Sequence, residues 1–123
     1  MFVRSRTYQL RGRDGETHHH TLVQAYRTDD GKPRQRTLAS WRGPRDLHEA
    51  IALLEQWAQE HERERAFWQA KRPHAYQHRR AARGFKRFYI GDVDAHVAWH
   101  IAKRDDARRR ADLLRKALRE GVT

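Results

Sequence analysis

Glycine and proline breaks divide this chain into one part with strand-like periodicity and two parts with helical periodicity. Gly43-Pro44 ends a region rich in β-branched and aromatic residues, and Pro73 ends the helical pattern that follows it. Gly91 precedes a second helical pattern. Because the hydrophobic spacing changes between these breaks, the chain is expected to form a sheet first and two long helices after it.

Residues 1–43 predict three strands joined by two short turns. Asp14-Gly15 is a tight-turn signal, and Gly31 can adopt the positive φ that the second turn requires. Three strands connected in this way form an antiparallel sheet, which is marginally stable until something packs on one of its faces. The strands are expected at residues 2–10, 18–27 and 34–41.

The segment 44–71 predicts the helix that supplies this packing, since its apolar residues recur at a spacing of three to four. Pro44 is expected at the first helical position, and Asp46 in the first turn, where the helix dipole favours an anion. Such a helix is roughly 42 Å long, so its first half would cover the sheet and its second half would extend further.

A second long helix is expected after Gly91, with Asp92 as its N-cap and Gly121 as its end. Its apolar stripe is thin around residues 104–110. Between the helices, residues 75–83 predict a short helix.

The predicted fold class is α+β, a three-stranded antiparallel sheet packed by a long helix and followed by a helical extension. The predicted segments are the sheet with the first helix (1–71), a basic aromatic linker or short helix (72–91), and the C-terminal helix (92–123).

The composition excludes several classes of protein. Hydrophobic residues make up 37% of the chain and charged residues 35%, which is lean for one compact globule and favours exposed helices or a partner. The absence of cysteine excludes disulfides, thiolate zinc sites and cysteine nucleophiles. No apolar run approaches membrane-spanning length and no signal peptide follows Met1, so we expect no membrane partner and a cytoplasmic location.

The formal net charge of +11 is concentrated in parts of the chain. Residues 72–91 contain six Lys or Arg, four aromatic residues and no carboxylate, and residues 1–43 contain nine Lys or Arg against four Asp or Glu. A concentrated positive field attracts polyanions, and the planar fork of arginine suits phosphates and guanine edges. We therefore expect a nucleic-acid partner.

The cations expected to contact nucleic acid belong to the strands, the basic segment and the second helix. Those of the sheet would enter a groove or follow the backbone, and those of the basic segment would contact phosphates. Aromatic residues alternate with cations in that segment, as in proteins that bind single strands or distorted duplexes. The candidate residues are Arg4, Arg6, Arg27, Lys32, Arg34, Arg36, Arg79, Arg80, Arg83, Lys86, Arg87, Arg108 and Arg109.

Residues 2–41 also carry a pattern of strand and turn residues that is shared with a known family. The pattern consists of Val3, Arg4, Tyr26, Arg27, Gly31, Lys32, Arg34, Gln35, Arg36 and Leu38. It resembles the N-terminal segment of DDE-type insertion-sequence transposases, and the resemblance implies an element that binds DNA ends. A chain of 123 residues is too short to hold the RNase H-like catalytic domain of that family, so transposition is not implied. In layout, a sheet followed by a helix is also similar to the arm-binding domains of tyrosine recombinases.

Two other patterns allow a catalytic interpretation. On a strand, His18 and His20 share a face about 7 Å apart and could bind a metal, with Tyr76 as a nucleophile, similar to single-strand-nicking relaxases. Polar strand residues beside a turn are the simpler interpretation. The second pattern is a set of carboxylates that could bind the metal of a nuclease: Asp29, Asp30, Asp92, Asp94, Asp105 and Asp106. Turns, helix N-termini and local ion pairs are the simpler explanation for these residues. We expect no catalysis, no metal and no cofactor.

The sequence favours a non-catalytic DNA-binding accessory or regulatory protein of a mobile genetic element. The same concentration of positive charge also fits an RNA-binding subunit of a ribonucleoprotein complex. A basic subunit that binds an acidic protein is a third alternative. The apolar helix residues that a small sheet cannot cover favour a homodimer or docking to a larger complex. They are Phe67, Trp68, Val97, Trp99, Ile101, Leu114 and Leu118.

Overall fold

The computed structural model describes residues 1–9, 15–78 and 88–123, and it has the α+β architecture that the sequence predicts. Two long helices follow three strands, with a 3-10 turn at Arg72–His74 between the helices. The elements are β1 (Phe2–Gln9), β2 (Glu16–Arg27), β3 (Pro33–Arg42), α1 (Leu47–Lys71) and α2 (Ile90–Arg119). The predicted order of a three-stranded sheet, a long helix and a second helix is confirmed. Leu10 and Asp14, which belong to the first predicted strand and turn, lie outside the described residues.

The strands form one antiparallel sheet in the order β1-β2-β3. In the central strand, Leu22 pairs with Val3 on one side and with Ala39 on the other. The register then shifts, because Val23 pairs with Thr37 and leaves one extra residue, Leu38, in β3. Such a bulge bends the strand and exchanges which residues of β3 point to each face.

The chain divides into two compact units. The first unit consists of Met1–Leu54 and Arg109–Thr123, and the second consists of Glu55–Arg108. Since α1 and α2 each contribute residues to both units, the units do not follow the order of the chain.

The core of the first unit lies between one face of the sheet and residues from both helices. Leu22 and Leu114 are fully buried, and Trp41 is buried with its indole N–H donating to the Pro44 carbonyl at 2.7 Å. Burial of a leucine side chain stabilises a fold by roughly 2 kcal/mol. Leu114 and Leu118 therefore pack in this core beside the sheet, and the expectation that a small sheet cannot cover them is wrong. The other core residues are Ala39, Leu47, Ala50, Ile51, Leu54, Ala111, Ala117 and Val122.

α1 begins at Leu47, so the expectation that Pro44 is its first residue is wrong. The carboxylate of Asp46 accepts a hydrogen bond from the backbone amide of Glu49 at 3.0 Å, which makes Asp46 the N-cap. The Asp46-to-Glu49 spacing is that of a capping box. The helix starts where a side chain can satisfy one of its first amides. Its predicted end at Lys71 is confirmed.

α2 begins at Ile90, so Asp92 lies in its first turn and is not the N-cap. The amide of Val93 donates to the Tyr89 carbonyl at 3.0 Å, which places the first helical hydrogen bond before Asp92. Gly91 therefore does not break the chain. It allows close packing of the Tyr89 ring, since a Cβ at this position would lie 2.6 Å from Cε1 of that ring.

The predicted end of α2 at Gly121 is confirmed. Gly121 has a φ of +83°, and its amide donates to the Leu118 carbonyl at 3.0 Å. The amide of Val122 donates to the Ala117 carbonyl at 3.0 Å, and the Val122 side chain joins the core. This pattern closes the helix and places Val122, three residues after its end, in the core of the first unit.

The short helix expected over residues 75–83 is absent from its described part, residues 75–78, while residues 79–83 lie outside the described chain. Tyr76 instead forms a parallel bridge with Tyr89. The Tyr76 amide donates to the Phe88 carbonyl at 2.7 Å, and the Ile90 amide donates to the Tyr76 carbonyl at 2.9 Å. Backbone hydrogen bonds therefore hold the two ends of the basic segment together.

Candidate nucleic-acid interface

The β2–β3 hairpin extends past β1 as a two-stranded ribbon, which we define as residues 24–36. At this end of the sheet, the pairing of β1 with β2 stops at Phe2 and Val23. The pairing of β2 with β3 continues further, to Arg27 and Pro33. Residues 25–27 and 29–37 are all exposed. The ribbon is therefore accessible to a large partner along its length.

Four of the predicted cations lie on the ribbon: Arg27, Lys32, Arg34 and Arg36. Arg34 and Arg36 are both exposed. Because of the bulge at Leu38, they point to the same side of β3 as the core residue Trp41. They lie past the part of that face which the core covers.

Arg36 has the most sharply defined geometry of the four. Its Nε and Nη2 donate to Oε1 of Gln24 at 3.0 and 2.7 Å. Its guanidinium carbon lies 5.6 Å from the centre of the Tyr26 ring. Gln24 and Tyr26 are the cross-strand partners of Arg36 and Arg34, so pairing in the ribbon brings these side chains together.

The tip of the ribbon is a closed turn with two carboxylates. The amide of Thr28 donates to the Lys32 carbonyl at 3.0 Å, and Gly31 supports the turn with a φ of +82°. The Thr28 hydroxyl donates to Asp30 and is the main cause of the lowered pKa of that carboxyl. Lys32 lies 3.7 Å from Asp30 as an exposed ion pair. With Asp29 beside it, the tip is less suited to a polyanion than the sides of the ribbon.

The sheet face opposite the core, which we call the outer face, carries a second group of cations. Arg4 and Arg6 lie there on β1, and Arg6, His19 and Arg42 form one cross-strand row. Nη2 of Arg4 donates to Oε1 of Gln35 at 2.7 Å across the central strand. No carboxylate lies on this face among the described residues of the three strands.

Two aromatic rings flank the arginines of the outer face. Phe2 is 39% exposed and Tyr8 is 46% exposed, at the two ends of β1. The guanidinium carbon of Arg4 lies 5.9 Å from the centre of the Phe2 ring, and the rings of Tyr8 and His19 are 6.3 Å apart. β1 therefore presents rings and cations on the same side.

The structure thus separates the strand cations into two groups. Arg4 and Arg6 lie on the outer face, and Arg34 and Arg36 lie on the ribbon with the opposite orientation. Arg108 and Arg109 are exposed on α2. Arg79, Arg80, Arg83, Lys86 and Arg87 lie outside the described residues.

Gln24, Tyr26 and Arg42 are interface residues that were not among the nucleic-acid-binding candidates, although Tyr26 belongs to the pattern shared with the transposase segment. The first two carry a usable signal, because counting outward from the turn at Thr28–Lys32 pairs Tyr26 with Arg34 and Gln24 with Arg36. Arg42 lies past the bulge, where the same count fails by one residue. Its place in the row with Arg6 follows only from the observed register.

The histidines of β2 have structural partners. Nε2 of His20 donates to the Gly43 carbonyl at 2.9 Å, and its Nδ1 accepts from the Ser5 hydroxyl at 2.7 Å. His20 is buried against Trp41, and His18 hydrogen bonds to the Thr7 hydroxyl at 3.2 Å. Both rings therefore act in strand pairing. In the described part of the chain, no three His, Cys, Asp or Glu side chains are grouped closely enough to hold a metal ion.

The second unit contains a cluster of histidine and tryptophan rings. His61 and His100 approach to 2.9 Å between their Nδ1 atoms, and His100 is buried. The rings of Trp68 and His96 are stacked 4.0 Å apart, and the Trp99 ring meets His61 edge-on at 5.5 Å. Desolvation of the buried imidazole is the main cause of the lowered pKa of His100, and nearby His61 adds to it.

Charged side chains also connect α1 and α2 within the second unit. Oε1 of Glu62 accepts from Nη2 of Arg65 at 2.6 Å, and its Oε2 accepts from Nη1 of Arg104 at 2.5 Å. These hydrogen bonds, from Arg65 first and then Arg104, lower the pKa of Glu62 to about 2. Arg72 and Asp94 form a further pair at 2.7 Å. The apolar stripe of α2 is therefore thin around Arg104 because this position contacts α1 through an ion pair with Glu62.

Comparison of the chain with protein-family models, with curated proteins and with solved structures found no match. Neither long helix has, in its described residues, the length and apolar content needed to cross a membrane.

Proposed function

We propose that this protein is a non-catalytic DNA-binding accessory or regulatory protein of a mobile genetic element, whose ribbon enters the major groove. The observation that carries the proposal is the exposed β2–β3 ribbon, which continues without β1 and holds four cations. The major groove of B-DNA, about 12 Å wide, admits a two-stranded ribbon, and its base edges carry sequence information.

The charges on the ribbon favour contact through its sides. Asp29 and Asp30 at the tip would be repelled by phosphates, whereas Arg34 and Arg36 project from the paired strands. Arginine hydrogen bonds to phosphate are charge-assisted and help to set the register of a protein on the duplex. Arg4, Arg6 and Arg42 on the outer face would add phosphate contacts of the same kind.

The resemblance of residues 2–41 to the N-terminal segment of insertion-sequence transposases supports DNA over other polyanions and supports the mobile element. A homodimer or a docked complex is part of the same proposal. Trp57, Phe67 and Trp99 are each about half exposed, and large exposed apolar side chains mark surfaces that partners cover. Two copies would present two ribbons, as a DNA site with two halves requires.

An RNA-binding or single-strand-binding role is the second candidate. Phe2 and Tyr8 are exposed beside Arg4 and Arg6 on the outer face, and rings beside cations are typical of surfaces on which unpaired bases stack. In that case the outer face, and not the ribbon, would carry most of the affinity.

Binding measurements on matched ligands test the proposal. Fluorescence anisotropy should compare a duplex DNA, a single-stranded DNA and a structured RNA of equal length at one salt concentration. The double variant Arg34→Glu/Arg36→Glu is expected to lose roughly 10- to 100-fold in duplex affinity, because two charge-assisted contacts become repulsive. Arg45→Glu/Arg63→Glu, which makes the same change in net charge at two exposed residues that are not part of the ribbon, is the control.

Three other outcomes would contradict duplex recognition by the ribbon. If both double variants lose the same amount of duplex affinity, the net charge of the protein and not the ribbon causes the binding. A larger loss on RNA from Arg4→Glu/Arg6→Glu, with RNA bound most tightly, would favour the second candidate. No binding to any of the three ligands at physiological salt would favour a basic subunit that binds an acidic protein.

A further inference from the structure

Arg36 has more side-chain contacts than the other exposed cations of the ribbon, since Arg27 makes one hydrogen bond to the Gly31 carbonyl at 3.1 Å and Lys32 makes one exposed ion pair with Asp30. Nε and Nη2 both donate to Oε1 of Gln24, at 3.0 and 2.7 Å, and the guanidinium lies over the Tyr26 ring at 5.6 Å. By contrast, the guanidinium of the neighbouring Arg34 has no hydrogen-bond acceptor among the described residues. Arginine loses much rotamer freedom on binding, so a side chain already held by neighbours pays less of that cost.

The contacts with Gln24 also determine which edge of Arg36 remains available. A guanidinium has five N–H donors in a rigid plane, arranged along two edges that can each make a bidentate contact. Gln24 occupies the edge formed by Nε and Nη2. The edge formed by Nη1 and the second hydrogen of Nη2 is left for a ligand with two neighbouring acceptors.

In the major groove, guanine presents such a pair in O6 and N7, and bidentate arginine to guanine is the commonest specific contact there. We infer that Arg36 reads a guanine in the DNA site, with Gln24 and Tyr26 as positioning residues. This inference depends on the proposed function, since it requires the ribbon to enter the major groove. Arg27, Lys32 and Arg34 then contact phosphates and set the register of the ribbon.

A phosphate also offers two acceptor oxygens to an arginine edge, so the experiment must separate the two ligands. Duplexes that bind the wild-type protein best are first selected from a randomised pool. Each guanine of the selected site is then replaced in turn by 7-deazaguanine, which lacks the N7 acceptor and leaves every phosphate unchanged. At one position, this replacement should weaken wild-type binding by about fivefold or more.

The variants show whether Arg36 makes that contact. With Arg36→Met, which removes every donor of the side chain, the same replacement should have little further effect. Gln24→Leu should also reduce the preference for guanine while leaving the salt dependence of binding unchanged, and Gln24→Glu should restore the preference because it keeps an acceptor oxygen. Arg34→Met is the matched control and should retain full sensitivity to 7-deazaguanine. Thermal melting of each variant confirms that it is folded.

Each remaining result has one meaning. If 7-deazaguanine has no effect at any position on the wild-type protein, or the same effect on Arg36→Met, then Arg36 does not read guanine, and the proposed function stands. If Arg36→Met weakens all duplexes equally, Arg36 contacts phosphate. If the wild-type protein binds no duplex, the proposed function fails and this inference fails with it.

Discussion

The Nδ1 atoms of His61 and His100 lie 2.9 Å apart in the second unit, so one imidazole must donate a hydrogen to the other. His100 is 8% exposed and packs edge-on against Trp99. Desolvation lowers the pKa of His100, His61 and His96 lower it further, and Glu64 acts in the opposite direction. The folded second unit therefore favours a neutral His100.

This pair predicts that acid destabilises the protein in the range where histidine titrates. The pKa of His100 is lowered in the folded state from an ordinary value of 6.5, so below that pH the unfolded chain binds more protons than the folded chain. The contribution of His100 to stability is complete above about pH 6.5, and it is lost as the pH falls towards the lowered pKa of the folded state. Glu62, with a pKa of about 2, stays ionised throughout this window.

Thermal melting followed by circular dichroism between about pH 7 and pH 5 measures the effect. His100→Asn should show a smaller decrease in Tm over this range than the wild-type protein, whatever its Tm at pH 7. His48→Gln, at an exposed position of α1, is the control and should follow the wild-type curve. A wild-type decrease that is unchanged in His100→Asn would show that other groups cause it.

Glu62→Gln is predicted to lower the Tm at neutral pH, because Arg65 and Arg104 both lose their carboxylate partner. The pKa of Glu62 is lowered from 4.5 to about 2, so the contribution is complete above pH 4.5 and disappears as the pH falls through about 2. The difference in Tm between wild type and variant should therefore shrink in strong acid. Glu60→Gln, on the same helix, is the control, and equal effects of the two substitutions would contradict the prediction.

The salt dependence of binding reports how many phosphates are neutralised. If about six are, log K should fall with log[salt] with a slope of about −5 for duplex DNA or about −4 for a single strand. Arg34→Gln/Arg36→Gln should make the slope shallower by about 1 if Arg36 contacts a base, and by about 2 if both residues contact phosphates. A wild-type slope shallower than about −2 would rule out binding dominated by phosphates.

We predict no nicking or cleavage of DNA in the presence of Mg²⁺ or Mn²⁺. His18 is engaged with Thr7, His20 is buried with both ring nitrogens hydrogen-bonded, and the Tyr76 backbone pairs with residues 88–90. Gel assays on supercoiled and single-stranded substrates measure this. Divalent-dependent nicking that disappears in both His18→Ala and Tyr76→Phe would establish the relaxase-like alternative.

Self-association is predicted from the exposed rings of the second unit. Light scattering without nucleic acid should give a mass of two chains at micromolar concentration, because Trp57, Phe67 and Trp99 are each about half exposed. Trp57→Gln/Phe67→Gln should shift the mass towards one chain. Phe2→Gln, an exposed ring of the first unit, is the control, and a mass of one chain for the wild-type protein would favour a monomer.

Local patterns were enough to predict the elements of this fold. The turn at Thr28–Lys32, the helix end at Lys71 and the C-terminal stop at Gly121 all depend on residues close together in sequence. The predicted starts of α1 and α2 were less accurate than these features. At Asp46 the cap itself decides the first residue, and at Gly91 an aromatic ring uses the space that a side chain would fill.

The sequence by itself determined the three strands, the two helices and the basic character of the strands, because periodicity, turn residues and charge act locally. Only the tertiary structure decided where these parts meet. The bulge at Leu38 sets the face on which Arg34 and Arg36 lie, and α2 contributes Leu114 to the sheet core. Contacts such as His61 with His100 join residues distant in sequence, and they depend on packing and register that no short window of the chain contains.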